Sequence, residues 1–262
     1  MISHQILKKE IISQLIDTVD KDQHLLFYSY LSQRKSNVVF IGQYVDNQLT
    51  AVLAFYNGLS FPAFSFYRFN QWKAYLPELI AFTRSVIQIK KKSICGTILN
   101  QDDLHLFQSQ NLITGTPKRF FTMKHQDLSK LIESNVATEV KTEELSKVIK
   151  FLENEKMKFF TKSELEKYPF LGIKNRDEFI AVGGFHFFDP QLVELGNILT
   201  RIDYRGLGLS KLLTSQLTYI GKKISKEVFL GVLAENLPAT NLYKGLGYET
   251  TAELSIINFT LD

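Results

Sequence analysis

The sequence predicts an α/β (α+β) protein: a mixed, mostly antiparallel sheet flanked by helices, present twice in the chain. Three observations carry this prediction. Each half runs helix, three strands, helix, strand, helix, strand. The first three strands of each half are joined by short turns and are therefore antiparallel, whereas the following strand–helix–strand unit places the next strand parallel to the third. The second half repeats the order and spacing of the first, although residue identity between them is slight. The 262 residues, 45% hydrophobic and 22% charged, suit one large domain or two of about 130 residues. Phenylalanine is frequent, which suits sheet faces and filled cores.

In the first half, Leu7–Val19 reads as a helix. Val38–Tyr44 and Leu49–Tyr56 read as strands around the turn Asp46-Asn47, and Ala63–Phe69 as a third strand. Ala74–Ile89 is a helix, Ser93–Leu99 a strand, Asp102–Gln108 a short helix and Lys118–Lys124 a strand. In the second half, Thr142–Lys156 is an amphipathic helix with Leu145, Val148, Ile149 and Leu152 on one stripe. Phe170–Lys174 and Glu178–Phe188 are strands around Asn175-Arg176-Asp177, and Leu192–Thr200 follows the turn Asp189-Pro190. A helix from Leu209 to Lys223, a strand Val228–Leu233, a helix Leu237–Leu246 and a strand Ala252–Leu261 complete the order. Gly42 before Asp46-Asn47 mirrors Gly172 before Asn175-Arg176-Asp177. The polar stretch Gln126–Glu139 is the best boundary, giving domains 1–128 and 129–262.

Residues 1–128 carry a charge of +5 and residues 129–262 a charge of −1. An excess this small and scattered argues against nucleic acid as a partner. The run Lys90-Lys91-Lys92 reads as a solvated helix end favoured by the helix dipole. The single cysteine, Cys95, lies in an apolar stretch and reads as a buried strand residue; one thiol allows no internal disulfide and favours a reducing compartment. The N-terminal residues lack an apolar signal core, and no apolar run approaches the roughly 20 residues needed to span a bilayer. The expectation is a soluble cytoplasmic protein.

The segment Thr200-Arg201-Ile202-Asp203-Tyr204-Arg205-Gly206-Leu207-Gly208-Leu209-Ser210-Lys211 joins a strand to a strong amphipathic helix. The first N–H groups of a helix lack intrahelical partners and lie at the positive end of its dipole, so such a turn favours an anion. Glycines at 206 and 208 remove the Cβ atoms that would keep a pyrophosphate away. Arg205 either adds charge near the phosphates or holds the turn. The Walker pattern is absent, because no Gly-Lys-Ser/Thr closes the loop. A dinucleotide fingerprint fits poorly, because a third glycine is missing and three antiparallel strands precede the turn. A tight strand–helix turn with no ligand is the competing reading. In the first half the matching segment, Arg68-Phe69-Asn70-Gln71-Trp72-Lys73, has no glycine.

Downstream, Asn236 suits a helix cap, Pro238 a first turn and Gly247 a helix end. Together with the turn Tyr204–Leu209 and the strand Glu194–Thr200, the series Asn236, Ala239, Leu242-Tyr243 and Gly247-Tyr248 resembles the GNAT superfamily of acyl-CoA N-acyltransferases. The likeness covers roughly residues 140–262. The first half resembles the family only in element order, as a degenerate copy does in two-domain members.

This resemblance implies an acetyl-CoA-dependent N-acetyltransferase acting on a small primary amine, with acetyl-CoA as co-substrate and no metal. It places the phosphate cradle on Gly206, Leu207, Gly208, Leu209, Ser210 and Lys211, and counts Arg205 and Tyr243 among the residues that bind the cofactor. The pantetheine arm would pair with Ile198, Leu199 and Thr200, and backbone N–H near Ile198 would polarise the thioester carbonyl. Asn236 matches a position that bonds the pantetheine chain, and Tyr243 matches the usual general acid. Two positions depart from the pattern: Ser210 stands where glycine or alanine is usual, and Gly231 where some members carry a glutamate base. The base is then Glu194, His186 or a water. Strand alternation puts Glu194, Gly196 and Ile198 on one face, and the ordinary pKa of histidine suits a base at His186. The competing readings are a solvated Glu194 and a backbone-bonded His186. Glu235 reads as a helix-end charge. Phe61, Phe64, Phe66, Tyr67 and Trp72 read as core more readily than as a cleft lining. The alternative function is a module that keeps the acyl-CoA site but lacks chemistry. A transferase using aminoacyl-tRNA fits less well, because such enzymes generally lack an intact CoA turn.

Overall fold

The computed structural model describes residues 1–69, 73–90, 92–155, 157, 160 and 162–261. Trp72 and Lys91, and the Lys156 end of the helix expected from Thr142, lie outside the described residues. The chain forms two compact units, Met1–Phe120 with Ala252–Asp262, and Phe121–Thr251.

In chain order the first half holds β1 (Ile2–Ile6), α1 (Lys9–Leu15), α2 (Lys21–Leu31), β2 (Val38–Val45), β3 (Gln48–Tyr56), β4 (Ala63–Arg68), α3 (Leu76–Ile87), β5 (Ile94–Leu99), α4 (Gln101–Ser109) and β6 (Ile113–His125). The second holds β7 (Thr138–Glu139), α5 (Leu145–Asn154), α6 (Lys162–Lys167), β8 (Phe170–Asn175), β9 (Glu178–Asp189), β10 (Leu192–Thr200), α7 (Leu209–Lys222), β11 (Val228–Leu233), α8 (Leu237–Gly245) and β12 (Tyr248–Thr260).

The first unit orders its strands β1-β2-β3-β4-β5-β12. The neighbours β1 to β4 are antiparallel, and β5 is parallel to β4. The hairpin between β2 and β3 turns on Asp46 and Asn47, both at positive φ, the backbone a two-residue hairpin loop needs. The expected division at 128 and 129 misses an exchange. The C-terminal end of β12 pairs antiparallel with β5, Ser255 to Leu99 through Thr260 to Ile94, so the last strand of the sequence completes the first unit. Phe259 and Ile257 join Phe64, Phe66, Phe107 and Cys95 in that unit's core. Burial pushes the Cys95 thiol up to about 12, so it is neutral and acts as a small apolar group.

The second unit orders its strands β6-β11-β10-β9-β8-β7, with Phe121–His125 of β6 beside β11. β8, β9 and β10 form an antiparallel meander, and β11 runs parallel to β10. The amphipathic helix expected from Thr142 starts as a 3-10 turn and becomes helical at Leu145; Val148 and Leu152, four residues apart, are its buried contacts. On one sheet face, α7 buries Leu213 and Leu217 against Val193 and Leu195 of β10. On the other, Val148 and Leu152 of α5 and Leu165 of α6 pack on Phe170 and Val182. Gly247 ends the α8 segment at φ 88, and a Cβ there would stand 2.5 Å from the Asp127 carbonyl oxygen, so glycine is required on two counts.

Candidate functional site

The site is built where β10 leaves the sheet. β10 pairs with β11 from Val193↔Val228 to Leu195↔Leu230, while on its other side it follows β9 as far as Thr200↔Ala181. Beyond Leu195, pairing with β11 ends and a gap opens between two parallel strands. The register with β9 also slips between Gly196 and Leu199, and Asn197 takes φ 55 within that slip. One extra residue on β10 is a β-bulge, and asparagine is among the few residues that adopt this left-handed backbone readily.

The bulge overturns the expected alternation of Glu194, Gly196 and Ile198 on one face. A Cβ on Gly196 would meet the His186 ring, with Nε2 2.2 Å away. Ile198 instead lies over Gly183 on the α7 face, where a Cβ on Gly183 would meet Ile198, Leu217 and Leu213 within 3.3 Å. Leu199 packs with Val140, Val148 and Leu152 on the opposite face.

After Thr200 the chain makes a 3-10 turn, Ile202–Tyr204, and reaches Gly206 and Gly208 at φ 80 and 76. Gly208 caps α7 with its backbone. No atom lies within 4 Å of a Cβ built at either glycine, so the turn is open on the side where side chains would stand. Leu207 is 66% exposed. Fourteen residues of helix follow, with Leu209, Ser210 and Lys211 supplying its first turn. The geometry distinguishes the two readings of Arg205. Its Nε donates to the Thr200 carbonyl at 3.1 Å, and its Nη2 lies 3.6 Å from Glu155, so it fastens the turn to the end of β10. Ser210 and Thr200 hydroxyls are 2.7 Å apart and tie the first helical turn to the same strand end. The small Ser210 thereby adds an anchor.

On α8, Asn236 caps the helix by accepting from the Ala239 N–H at 3.3 Å. Its side-chain oxygen is therefore engaged, and its amide N–H groups are the part left to meet a ligand. Tyr243 is 8% exposed and packs against Tyr248, ring centroids 6.1 Å apart. Burial pushes its phenol up to about 12, so it keeps its proton throughout the neutral range. Thr240, one turn earlier, buries a hydroxyl that has no partner.

His186 is partnered as well as packed. Its Nδ1 lies 3.3 Å from Glu164 Oε2 on α6, and the Glu164 side chain is only 9% exposed. A carboxylate at one ring nitrogen fixes the ring and leaves Nε2 toward Gly196, at the mouth of the bulge. Glu194 is half-buried in the fully paired part of β10, in register with Phe187 and Phe229, before the gap opens.

Three contributors escaped sequence reading: Glu164, Glu155 and Asn197. Glu164 lies in a short polar helix with no periodicity to single it out. Asn197 had a signal, since Gly196-Asn197 inside a strand pattern marks a bulge.

In the first unit, the helix that follows the third strand of the meander is α3. Its start is closed by protein. The Gln43 side chain, wholly buried in β2, accepts from the Tyr75 N–H and donates to the Tyr75 carbonyl, both at 2.8 Å. A cleft of about 450 Å³ lies in this unit near the ends of β4 and β5, lined by Asp20, Asp102, Glu253, His24, Tyr67 and Arg68. Arg68, a cation of this lining, is paired with Asp103 at 3.0 Å, so the cleft repels rather than attracts a pyrophosphate. Phe64 and Phe66 are core; Tyr67 stacks on Phe27 at 4.8 Å. No group of three or more His, Cys, Asp or Glu side chains that could hold a metal occurs among the described residues, and no helix among them is long and apolar enough to cross a membrane.

A strand split by a bulge, an open glycine turn at a helix start and a buried tyrosine on the next helix define the GNAT fold class. Comparison with known proteins gives the same answer: residues 136–248 match the model of the acetyltransferase (GNAT) family. That segment is a GNAT-family domain, and the whole chain shares its fold with solved proteins of this kind. A Drosophila protein aligns with 14% identity over 98% of both chains, with a TM-score of 0.70. A tandem GNAT protein from the clavulanic acid biosynthesis pathway aligns over 100% of this chain and 99% of its own, with 9% identity and a TM-score of 0.67. A GNAT-family acetyltransferase from Colwellia psychrerythraea aligns over 99% of both, with 16% identity and a TM-score of 0.62. No curated protein matches the sequence.

Proposed function

We propose that the chain is an acetyl-CoA-dependent N-acyltransferase that acylates a small primary amine, and that the second unit alone binds the coenzyme. The observation that carries this reading is the open turn at Gly206 and Gly208, ahead of a 14-residue helix and beside the β10–β11 gap. Backbone N–H groups from Gly206 to Lys211 suit the pyrophosphate, and Arg205 acts by holding the turn. The free edge of Ile198, Leu199 and Thr200 suits the pantetheine arm as an added strand. Asn236 offers its amide N–H groups to the same arm.

Acetyl-CoA supplies an acyl group attached to a thiol that can leave. His186 Nε2, with its ring held by Glu164, takes the proton from the amine as the new N–C bond forms. Backbone N–H at Ile198 meets the charge that develops on the carbonyl oxygen. As the C–S bond breaks, Tyr243, whose phenol is protonated throughout the neutral range, gives its proton to the departing sulfur. The Glu164 contact favours His186 over Glu194 as the base. The position of Glu194 in the paired part of the sheet suits a supporting role.

The test is thiol release from acetyl-CoA with a panel of amines. Turnover that falls in His186→Gln while acetyl-CoA binding persists supports the assignment. Tight binding with no thiol release for any amine defeats it in favour of a module that binds the coenzyme without chemistry.

A further inference from the structure

The first unit holds a ligand-sized cleft that the proposed reaction does not use. β4 and β5 run parallel and pair at Ala63↔Gly96 but not beyond. Past that pair, a cavity of about 10 Å³, room for about one water, is lined by Ser65 and Phe66 of β4 and Ile98 and Leu99 of β5. At the C-terminal ends of the same strands lies the open cleft of about 450 Å³, with Tyr67 and Arg68 on the β4 side and Asn100, Gln101 and Asp102 on the β5 side. His24 lines both spaces. This is the first unit's counterpart of the gap between β10 and β11. The crevice beyond the C-terminal ends of parallel strands is a common ligand site, and the volume falls within the roughly 300–1,000 Å³ of small-molecule pockets.

Charge and hydrogen-bonding capacity narrow what the cleft can hold. Arg68 is paired with Asp103 at 3.0 Å, and Glu253 with Arg119 at 2.6 Å. Burial lowers the His24 pKa against the pull of Asp20, so the ring is neutral at pH 7. The uncompensated charges of the lining are Asp20 and Asp102, neither of which has a cationic partner among the described residues. Asp20 accepts from the Asp22 N–H at 2.9 Å through one oxygen, which fixes the carboxylate and leaves its second oxygen. Gln101 turns its amide nitrogen to His105 at 2.8 Å, so its oxygen is the atom left. Each acid also suits the start of its own helix, α2 or α4, and that role holds it in place; the cleft they share is what a helix start does not supply. The complement of such a lining is a cation with several N–H donors. A metal ion fits poorly, because no group of three or more His, Cys, Asp or Glu side chains that could hold one occurs among the described residues. A quaternary ammonium fits poorly too: Tyr67 stacks on Phe27 at 4.8 Å and meets His24 and Phe69 in T-shaped contacts, so these rings are spent on one another. We infer that the first unit binds a small aliphatic primary ammonium compound in this cleft, through Asp20, Asp102 and the Gln101 oxygen, and that a compound with two ammonium groups binds more tightly than one with a single group. Binding here requires no chemistry in the second unit, so it survives a failure of the transferase reading.

Equilibrium dialysis of the full chain without acetyl-CoA tests this, with 1,5-diaminopentane, pentylamine and tetramethylammonium as probes. The diamine binds, pentylamine binds about fivefold more weakly because one charge contact is lost, and tetramethylammonium binds more weakly still. The double variant Asp20→Asn, Asp102→Asn keeps the α2 cap, since asparagine caps as well as aspartate. Its melting temperature stays at the parent value, and its diamine affinity falls at least about tenfold. Gln101→Lys leaves both carboxylates in place and brings a cation into the lining; it lowers diamine affinity at least about fivefold and decides the matter if the double variant does not fold. Parent affinity in a folded double variant places the amine elsewhere, the second unit's acceptor site included, and overturns the inference. A parent that binds no diamine, or binds tetramethylammonium as tightly, overturns it without any variant. Diamine binding that these variants weaken, with no thiol release from acetyl-CoA for any amine, removes the transferase reading and leaves this site standing.

Discussion

The two units start the same helix in opposite ways. In the first, α3 is met by Gln43, whose side chain closes on both the N–H and the carbonyl of Tyr75. In the second, α7 begins at Gly208, with Gly206 just before it and open space where side chains would be. Both helix starts face the same physical demand, that unpaired donors find an acceptor. The first unit supplies the acceptor from its own core and keeps a cleft lined by carboxylates near its strand ends. The second leaves the demand to be met from outside. On the proposed function, a shared architecture separates into a supporting unit and a coenzyme-binding unit by the choice of a few side chains.

The comparison can be broken at several points. The largest effect belongs to Tyr243→Phe. Removing the phenol proton lowers kcat by roughly 10²–10⁴, and steady-state kinetics read the loss. Calorimetry on the same variant returns the parent's acetyl-CoA affinity; a loss of binding instead would make Tyr243 a ligand contact and not an acid. Next, Glu164→Gln weakens the hold on His186. It lowers kcat about tenfold while the melting temperature and the affinity for acetyl-CoA stay at parent values, whereas a purely structural glutamate would lower the melting temperature.

Gln43→Ala sharpens the comparison from the other side. It removes the acceptor of the Tyr75 N–H, while the Tyr75 carbonyl keeps its bond from the Leu79 N–H, and it costs about 1–3 kcal/mol in denaturant unfolding. Acetyl-CoA affinity stays unchanged, because the affected helix start holds no ligand in this account. Weaker acetyl-CoA binding in a folded Gln43→Ala protein would contradict the division of labour.

The smallest effect is a pH dependence. His125 is wholly buried in the second unit; burial, then nearby Lys222, lowers its pKa to about 4. Between the ordinary value near 6.5 and about 4, the unfolded chain binds the proton and the folded chain does not. Stability is therefore full above about 6.5 and falls as the pH drops toward 4. Melting temperatures across that window check this, and His125→Gln flattens the slope.

Where apolar pattern and turn chemistry agreed, the sequence was readable to the residue. Leu192–Thr200 and Val228–Leu233 match β10 and β11 at both ends. β1 was missed because Ile2–Ile6 is an exposed strand with no buried alternating face. α2 was missed because Phe27–Leu31 is buried on every side and His24 breaks its helical geometry, so no single stripe marks it. The helix expected over Leu7–Val19 is consequently shorter, Lys9–Leu15. No local pattern encodes the pairing of β12 with β5, since which unit a strand completes is a long-range choice.

The candidate site divides in the same way. The glycine turn, Asn236 and Tyr243 were legible because their spacing along the chain carries the signal. Glu164 was not, because its significance comes from His186, which lies across from it in space. The bulge also reversed a period-two inference, setting Ile198 apart from Gly196.

The most direct test of the central claim is titration calorimetry of acetyl-CoA against the intact protein and its Gly208→Asp variant. One site per chain is expected in the parent. The variant loses at least about thirtyfold in affinity, about 2 kcal/mol, once a carboxylate and a Cβ stand at the mouth of the turn. Two sites per chain, or one site that the variant retains at parent affinity while still folded, would contradict it.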